Sequence, residues 1–154
     1  MSLFADEALT PWQQEPFEQI SKQFAQEQLP HSILMLGEEG VGREAFSTFV
    51  AQWMLCGAGD KHAGACGQCK SCQLFKAGSH PDYHHLEVEE GKTQISVAQV
   101  RELIEHMQES SHQAGWKVAN ITNVHALNAS SFNALLKTLE EPQPNTLLIL
   151  QAEQ

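Results

Sequence analysis

Two groups of residues in this sequence have types and spacing that could do chemistry. Cys56, Cys66, Cys69 and Cys72 form the pattern C-x9-C-x2-C-x2-C and are all the cysteines the chain has. Gly57, Gly59, Gly64 and Gly67 lie among them and permit the tight turns of a metal knuckle. Four thiolates fill a tetrahedral zinc and leave no open position, so the spacing predicts a structural site that does not activate water. Other uses of the sulfurs rank lower. Disulfides need an oxidising compartment. A bacterial four-iron cluster would want a further cysteine where Lys76 stands. A redox C-x-x-C pair leaves Cys56 and Cys72 without a role. The neighbouring His62 and His80 are expected to be solvated loop or capping residues, because the thiolates already complete the shell.

The second group is Gly37-Glu38-Glu39-Gly40-Val41-Gly42-Arg43-Glu44, set between a strand and a helix. A phosphate loop has this context, and Gly37 and Gly42 have its glycine spacing. In a working loop the amides cradle phosphate oxygens, a lysine neutralises them and a hydroxyl holds magnesium. Here Arg43 takes the lysine position and Glu44 the hydroxyl position. The three carboxylates and one guanidinium of the octapeptide place net negative charge where a polyphosphate would sit. A carboxylate at position 44 could touch a metal, but it adds charge beside phosphate. The acid that ends a later strand in P-loop enzymes is missing too, since Val118 to Ile121 runs into Thr122-Asn123. Neither residue is a general base or an anionic magnesium ligand. The expectation is a degenerate, empty phosphate loop at Gly37, Gly40, Gly42 and Arg43, with no catalytic residue and no ATP cofactor. The glycines alone would equally suit a tight strand-to-helix turn.

The elements that must position these groups follow from periodicity. The 154 residues (17.1 kDa) suit one domain. A formal charge of −10 excludes an autonomous nucleic-acid binder. The first twenty residues lack a secretory h-region, and no apolar run is long enough to cross a bilayer, so a soluble intracellular chain is expected. After Thr10-Pro11 and Pro16, residues Phe17, Ile20 and Phe24 predict a helix over about 16–28, stopped by Pro30. Ser32 to Leu36 reads as a strand. Ala45, Phe46, Phe49, Val50, Trp53 and Met54 read as a helix, and 56–80 as a glycine- and cysteine-rich insert. A strand over 82–88 follows. Then comes a helix with a Ser96/Gln99 capping box, a strand over 117–122, and a helix capped by Asn128 and closed by Pro142. Residues 146–151 form the last strand. This alternation predicts an α/β fold, a three-layer arrangement of a parallel sheet with helices on both faces. Because the sequence stops after an apolar strand, it reads as a piece of something longer.

Together these features resemble the clamp-loader branch of the AAA+ ATPases. The likeness rests on Pro30-His31-Ser32 before the first strand and its degenerate loop, and on the four-cysteine insert. It rests further on Ser79-His80-Pro81-Asp82 and Lys117-Val118 at the second and third strands. Its most specific part is Ser131-Phe132-Asn133-Ala134-Leu135-Leu136-Lys137-Thr138-Leu139-Glu140-Glu141-Pro142. It covers about 11–154 and leaves 1–10 as an acidic leader or the remnant of a tag. The resemblance implies an incomplete P-loop (AAA+) N-terminal domain over 11–154, enclosing a zinc module at 56–72 and cut before its last strand, with lid and collar domains absent. It implies a non-hydrolysing stator that helps a cytoplasmic, replisome-associated assembly load the sliding clamp onto primed DNA. The partners implied are the motor (gamma/tau) and delta subunits, with DNA and clamp met mainly through the assembly and no membrane involved. The family's Ser-Arg-Cys arginine would fall beyond Gln154. With the family's covering strand missing, Ile33 to Leu36 is expected to be an edge through which the chain self-associates. Two other readings stay open: a P-loop nucleotidase retaining ATP binding, and a zinc-stabilised interaction module. The second is ranked last because Cys56 to Cys72 holds only Lys61 and Lys70 as cations and no aromatic residue.

Overall fold

The structure, a computed structural model, describes residues 9, 11–37, 42–57, 64–109, 115–141 and 143–153. The leader residues 1–8, Thr10, Gly40, His62 and Pro142, all given roles above, lie outside the described residues.

The first helix, α1, spans Pro11–Ala25. It begins about a turn and a half before the expected residue 16 and ends before 28. Pro11 occupies the first turn, where a missing N–H costs nothing, and Pro16 is carried inside the helix. Gln13, Phe17 and Ile20 share the buried face at helical spacing, which holds that early turn in place. The stop is not Pro30 but Glu27, which adopts a left-handed φ of 56°. Around it the Gln28 N–H donates to Gln23 O at 2.8 Å, closing the helix end from within.

Next come β1 (Ser32–Leu36), α2 (Arg43–Leu55), α3 (Lys70–Lys76), β2 (Tyr83–Leu86), α4 (Val97–Gln108) and β3 (Lys117–Ile121). A single 3-10 turn (Val124–Ala126), α5 (Ala129–Glu140) and β4 (Thr146–Ala152) complete the order. The expected capping box of α4 forms in both directions, Gln99 N–H to Ser96 Oγ at 3.1 Å and Ser96 N–H to Gln99 Oε1 at 2.9 Å. Asn128 caps α5 by accepting from the Ser131 N–H at 2.7 Å. The insert is not a plain loop, because Cys69 caps the short helix α3 inside it. Glycine and cysteine composition concealed that helix.

All strand pairs are parallel, in the order β1-β4-β3-β2. Every residue of β3 is buried, as a strand covered on both faces must be. Its side chains alternate between two cores. Val118 joins Leu147, Ile149, α1 and α2 on one face; Ala119 and Ile121 join Leu148, α4 and α5 on the other. The first core is knitted by edge-to-face rings, with Phe17 to Phe49 at 5.1 Å and Phe17 to Trp53 at 5.3 Å between centroids. Lys117, buried at the start of β3, turns its ammonium onto the α4 terminus and bonds the carbonyls of His106 (3.2 Å), Met107 and Glu109. Burial lowers its pKa against the pull of Asp82 and Glu109. β1 lies at one end of the sheet, with Leu34 57% and Leu36 54% exposed. Among the described residues no helix is long and apolar enough to cross a membrane.

Candidate functional site

The four cysteines converge from three places. Cys56 terminates α2, Cys66 lies in the turn that follows Gly64, and Cys69 and Cys72 begin α3. Their sulfurs all lie within 4.8 Å of one another. Cys56 to Cys69 and Cys66 to Cys72 are both 4.0 Å, close to the roughly 3.8 Å edge of a tetrahedron with zinc–sulfur bonds of about 2.3 Å. Backbone amides aim at the sulfurs, Cys66 N–H at Cys56 Sγ (3.3 Å) and both Gln68 (3.4 Å) and Cys69 (3.3 Å) at Cys66 Sγ. Those amides of Gln68 and Cys69 lower the Cys66 thiol to about 6. Burial raises the Cys69 thiol, but the amides of Cys72 and Gly57 outweigh it and the net direction is down. Cys72 is the opposite case, pushed up to about 12 by burial, so it is the thiol most in need of a cation to ionise. The cluster can hold a metal ion. Gly64 is required: at φ 123° a Cβ there would come 2.7 Å from Phe49 Cζ.

His80, expected to be a solvated loop or capping residue, is not solvated and takes a capping role. It is buried, accepts the Asp82 N–H at Nδ1 (3.0 Å) and lies 3.1 Å from Ser71 Oγ through Nε2. With Nδ1 accepting, Nε2–H is the donor, and the ring ties α3 to the start of β2. Burial accordingly lowers its pKa.

At the other group, Gly37 follows β1 and Gly42, at φ 87°, caps α2. Gly40 lies outside the described residues. Arg43 does not face outward toward an incoming anion. Its guanidinium donates to Gly37 O (2.7 Å), Gln151 Oε1 (3.2 Å) and Thr122 O (3.4 Å). Three strand ends thus share one cation. Asn123 is occupied too, its Oδ1 accepting the His125 N–H at 2.9 Å and capping the 3-10 turn.

Several residues of this region were missed in the sequence. Gln13 Nε2 donates to Gly42 O at 3.1 Å and fills the place where a Cβ on Gly42 would go. Gln151 Nε2 donates to Ser47 Oγ (3.0 Å) and Asn120 Oδ1 (2.7 Å). Asn120 Nδ2 donates to Ser47 Oγ (3.1 Å) and Tyr83 OH (3.2 Å). The available signal was a polar residue on an otherwise apolar face: Gln13 ahead of Phe17, Asn120 in Val-Ala-Asn-Ile, Gln151 after Leu-Ile-Leu.

A parallel α/β sheet whose first strand and following helix are joined across Gly37 to Gly42 has the architecture of P-loop proteins. Here the cation at the end of that connection, Arg43, is spent on the protein's own acceptors. A family model described as DNA polymerase III, delta subunit matches residues 12–154. The chain belongs to that family. It is 43% identical over 147 residues to DNA polymerase III subunit delta' of Haemophilus influenzae, covering 95% of this chain and 44% of that protein. It is 41% identical over 144 residues to the subunit of the same name in Pseudomonas aeruginosa, covering 94% and 43%. The chain therefore spans less than half the length of these curated relatives. A crystal structure of a DNA polymerase III gamma-subunit-related protein from Thermotoga maritima shares the fold, with a TM-score of 0.52 at 16% identity over 92% of this chain and 39% of the other.

Proposed function

We propose that the full-length protein is a non-hydrolysing stator subunit of a bacterial clamp loader. In this reading it acts in the cytoplasm with gamma/tau motor and delta subunits to place a sliding clamp on primed DNA. Residues 11–154 are its AAA+ N-terminal domain and 1–10 a leader. The observation that carries the reading is the engagement of Arg43 by the protein's own acceptors. Arg43 is committed to three protein acceptors, Glu44 adds negative charge beside it, and Thr122-Asn123 supplies no acid. A nucleotide would have to displace the guanidinium and then meet a net anionic loop. Loss of hydrolysis with retention of the scaffold fits a subunit that supports its neighbours.

The same reading assigns the four thiolates to a structural zinc that fastens the 56–72 segment to the end of α2. The experiment is ATP calorimetry and phosphate release on the full-length protein, alone and reconstituted with motor and delta subunits. No binding or turnover alone, with clamp loading restored only in the assembly, is expected. Turnover by the pure protein that disappears in Arg43→Ala would overturn the proposal.

A further inference from the structure

Beside Arg43, three side chains from two stretches of chain meet. Glu44 projects from the first turn of α2, His85 from β2, and Glu87 from the residue just after β2. One ligand-type atom of each lies within 4.8 Å of those of the other two. All three are exposed, so a hydrated ion reaches them without opening the fold.

Their backbones are fixed. The Glu44 carbonyl accepts the Ser47 (2.8 Å) and Thr48 (2.9 Å) hydroxyls, and His85 is in register with Asn120 of β3. His85 Nε2 sits 2.6 Å from Thr122 Oγ1. When Nε2–H donates to that hydroxyl, Nδ1 keeps the lone pair a metal needs, which is how ligating imidazoles are oriented through their second nitrogen. Among the described residues neither carboxylate has a lysine or arginine ion-pair partner.

We propose that Glu44, His85 and Glu87 form a second metal site, separate from the thiolates, for a divalent first-row transition ion, with Thr122 as the positioning residue for His85. One imidazole and two carboxylates are a mixed nitrogen and oxygen donor set of the kind zinc and cobalt accept, and solvent completes the shell. The inference is independent of the clamp-loader reading, since it concerns ion binding and not nucleotide or partners.

The test titrates the full-length protein, its thiolates already loaded with one equivalent of Zn2+, with Co2+ followed by calorimetry and visible absorption. The expected result is one further equivalent whose d–d bands appear without a sulfur-to-cobalt charge-transfer band. His85→Ala and Glu44→Gln, both surface changes, should each weaken that equivalent by about tenfold or more, and Thr122→Val by roughly tenfold. Circular dichroism of the three variants should match the parent. Uptake that stops at the thiolate site up to about millimolar cobalt, far beyond the range of a built site, would overturn the proposal. So would a further equivalent that survives His85→Ala and Glu44→Gln unchanged, which would mark it as adventitious binding to surface acids.

Discussion

Replacing Asn120 by Ala tests whether the polar chain behind the loop is what stiffens this domain. Asn120 is fully buried in β3 and takes part in three hydrogen bonds, to Ser47 Oγ (3.1 Å), to Tyr83 OH (3.2 Å) and from Gln151 Nε2 (2.7 Å). At about 1 kcal/mol net for each bond, the three contribute about 3 kcal/mol. The void left by the amide adds about 1 kcal/mol, since α2 and the sheet hold their neighbours on both sides. The total, about 4 kcal/mol, is a large share of the stability of a single domain. With a urea slope of about 2 kcal/mol/M, the unfolding midpoint should fall by about 2 M. Because Asn120 and Gln151 share partners, the double variant with Gln151→Ala should destabilise by about 1 kcal/mol or more less than the sum of the singles. Asn123→Ala, three residues away, removes only a turn cap and should cost about 1 kcal/mol or less. A loss at Asn120 no larger than that at Asn123, or strict additivity with Gln151, would refute the reasoning.

Three further outcomes are expected. With the proposed structural zinc at the thiolates, a chelator should expose the 64–76 segment to protease and lower the melting temperature, while Cys66→Ser, at the exposed thiol, should do so less than Cys72→Ser at the buried one. Burial holds His84 down to about 4, with His106 adding to the effect, and burial also lowers His80. Both titrate near 6.5 when unfolded. The unfolded chain therefore binds protons that the folded one refuses between about pH 6.5 and 4. Stability is fully present above that window and declines as pH falls through it, by about 1–2 kcal/mol for the partly exposed His84 after allowance for solvent screening. Urea unfolding across the window should show the decline, and His84→Gln should flatten it. The isolated 154-residue chain should form dimers through β1, detectable by light scattering, and Leu34→Lys should return it to a monomer because an edge lysine opposes strand pairing. A single monomer peak across a wide concentration range would count against that edge.

Much of this fold was legible because its signals are local. The 3.6-residue spacing of Phe46, Phe49, Val50 and Trp53, the Ser96/Gln99 pair and the Asn128 cap each define an element without help from the rest of the chain. The thiolate cluster was legible for the same reason, since its spacing is itself the geometry. What escaped depended on contacts far apart in sequence. The extra turns of α1 are held by Gln13 reaching Gly42, 29 residues away. Arg43 meets Gln151 across 108 residues, so the loop's sequence could suggest that phosphate chemistry was gone but not what had filled the space. His80 was legible as a loop or capping residue, but nothing local reveals that Ser71 turns toward it and that the ring is buried. Helix α3 was hidden by glycines that serve the turn before it.

The three acceptors of Arg43 belong to the C-terminal ends of β1, β3 and β4, the rim of a parallel sheet at which α/β proteins place their ligands. A covalently attached cation cannot leave. That rim is cross-tied by the chain's own guanidinium, so the ends of three strands are held to one another without any ligand.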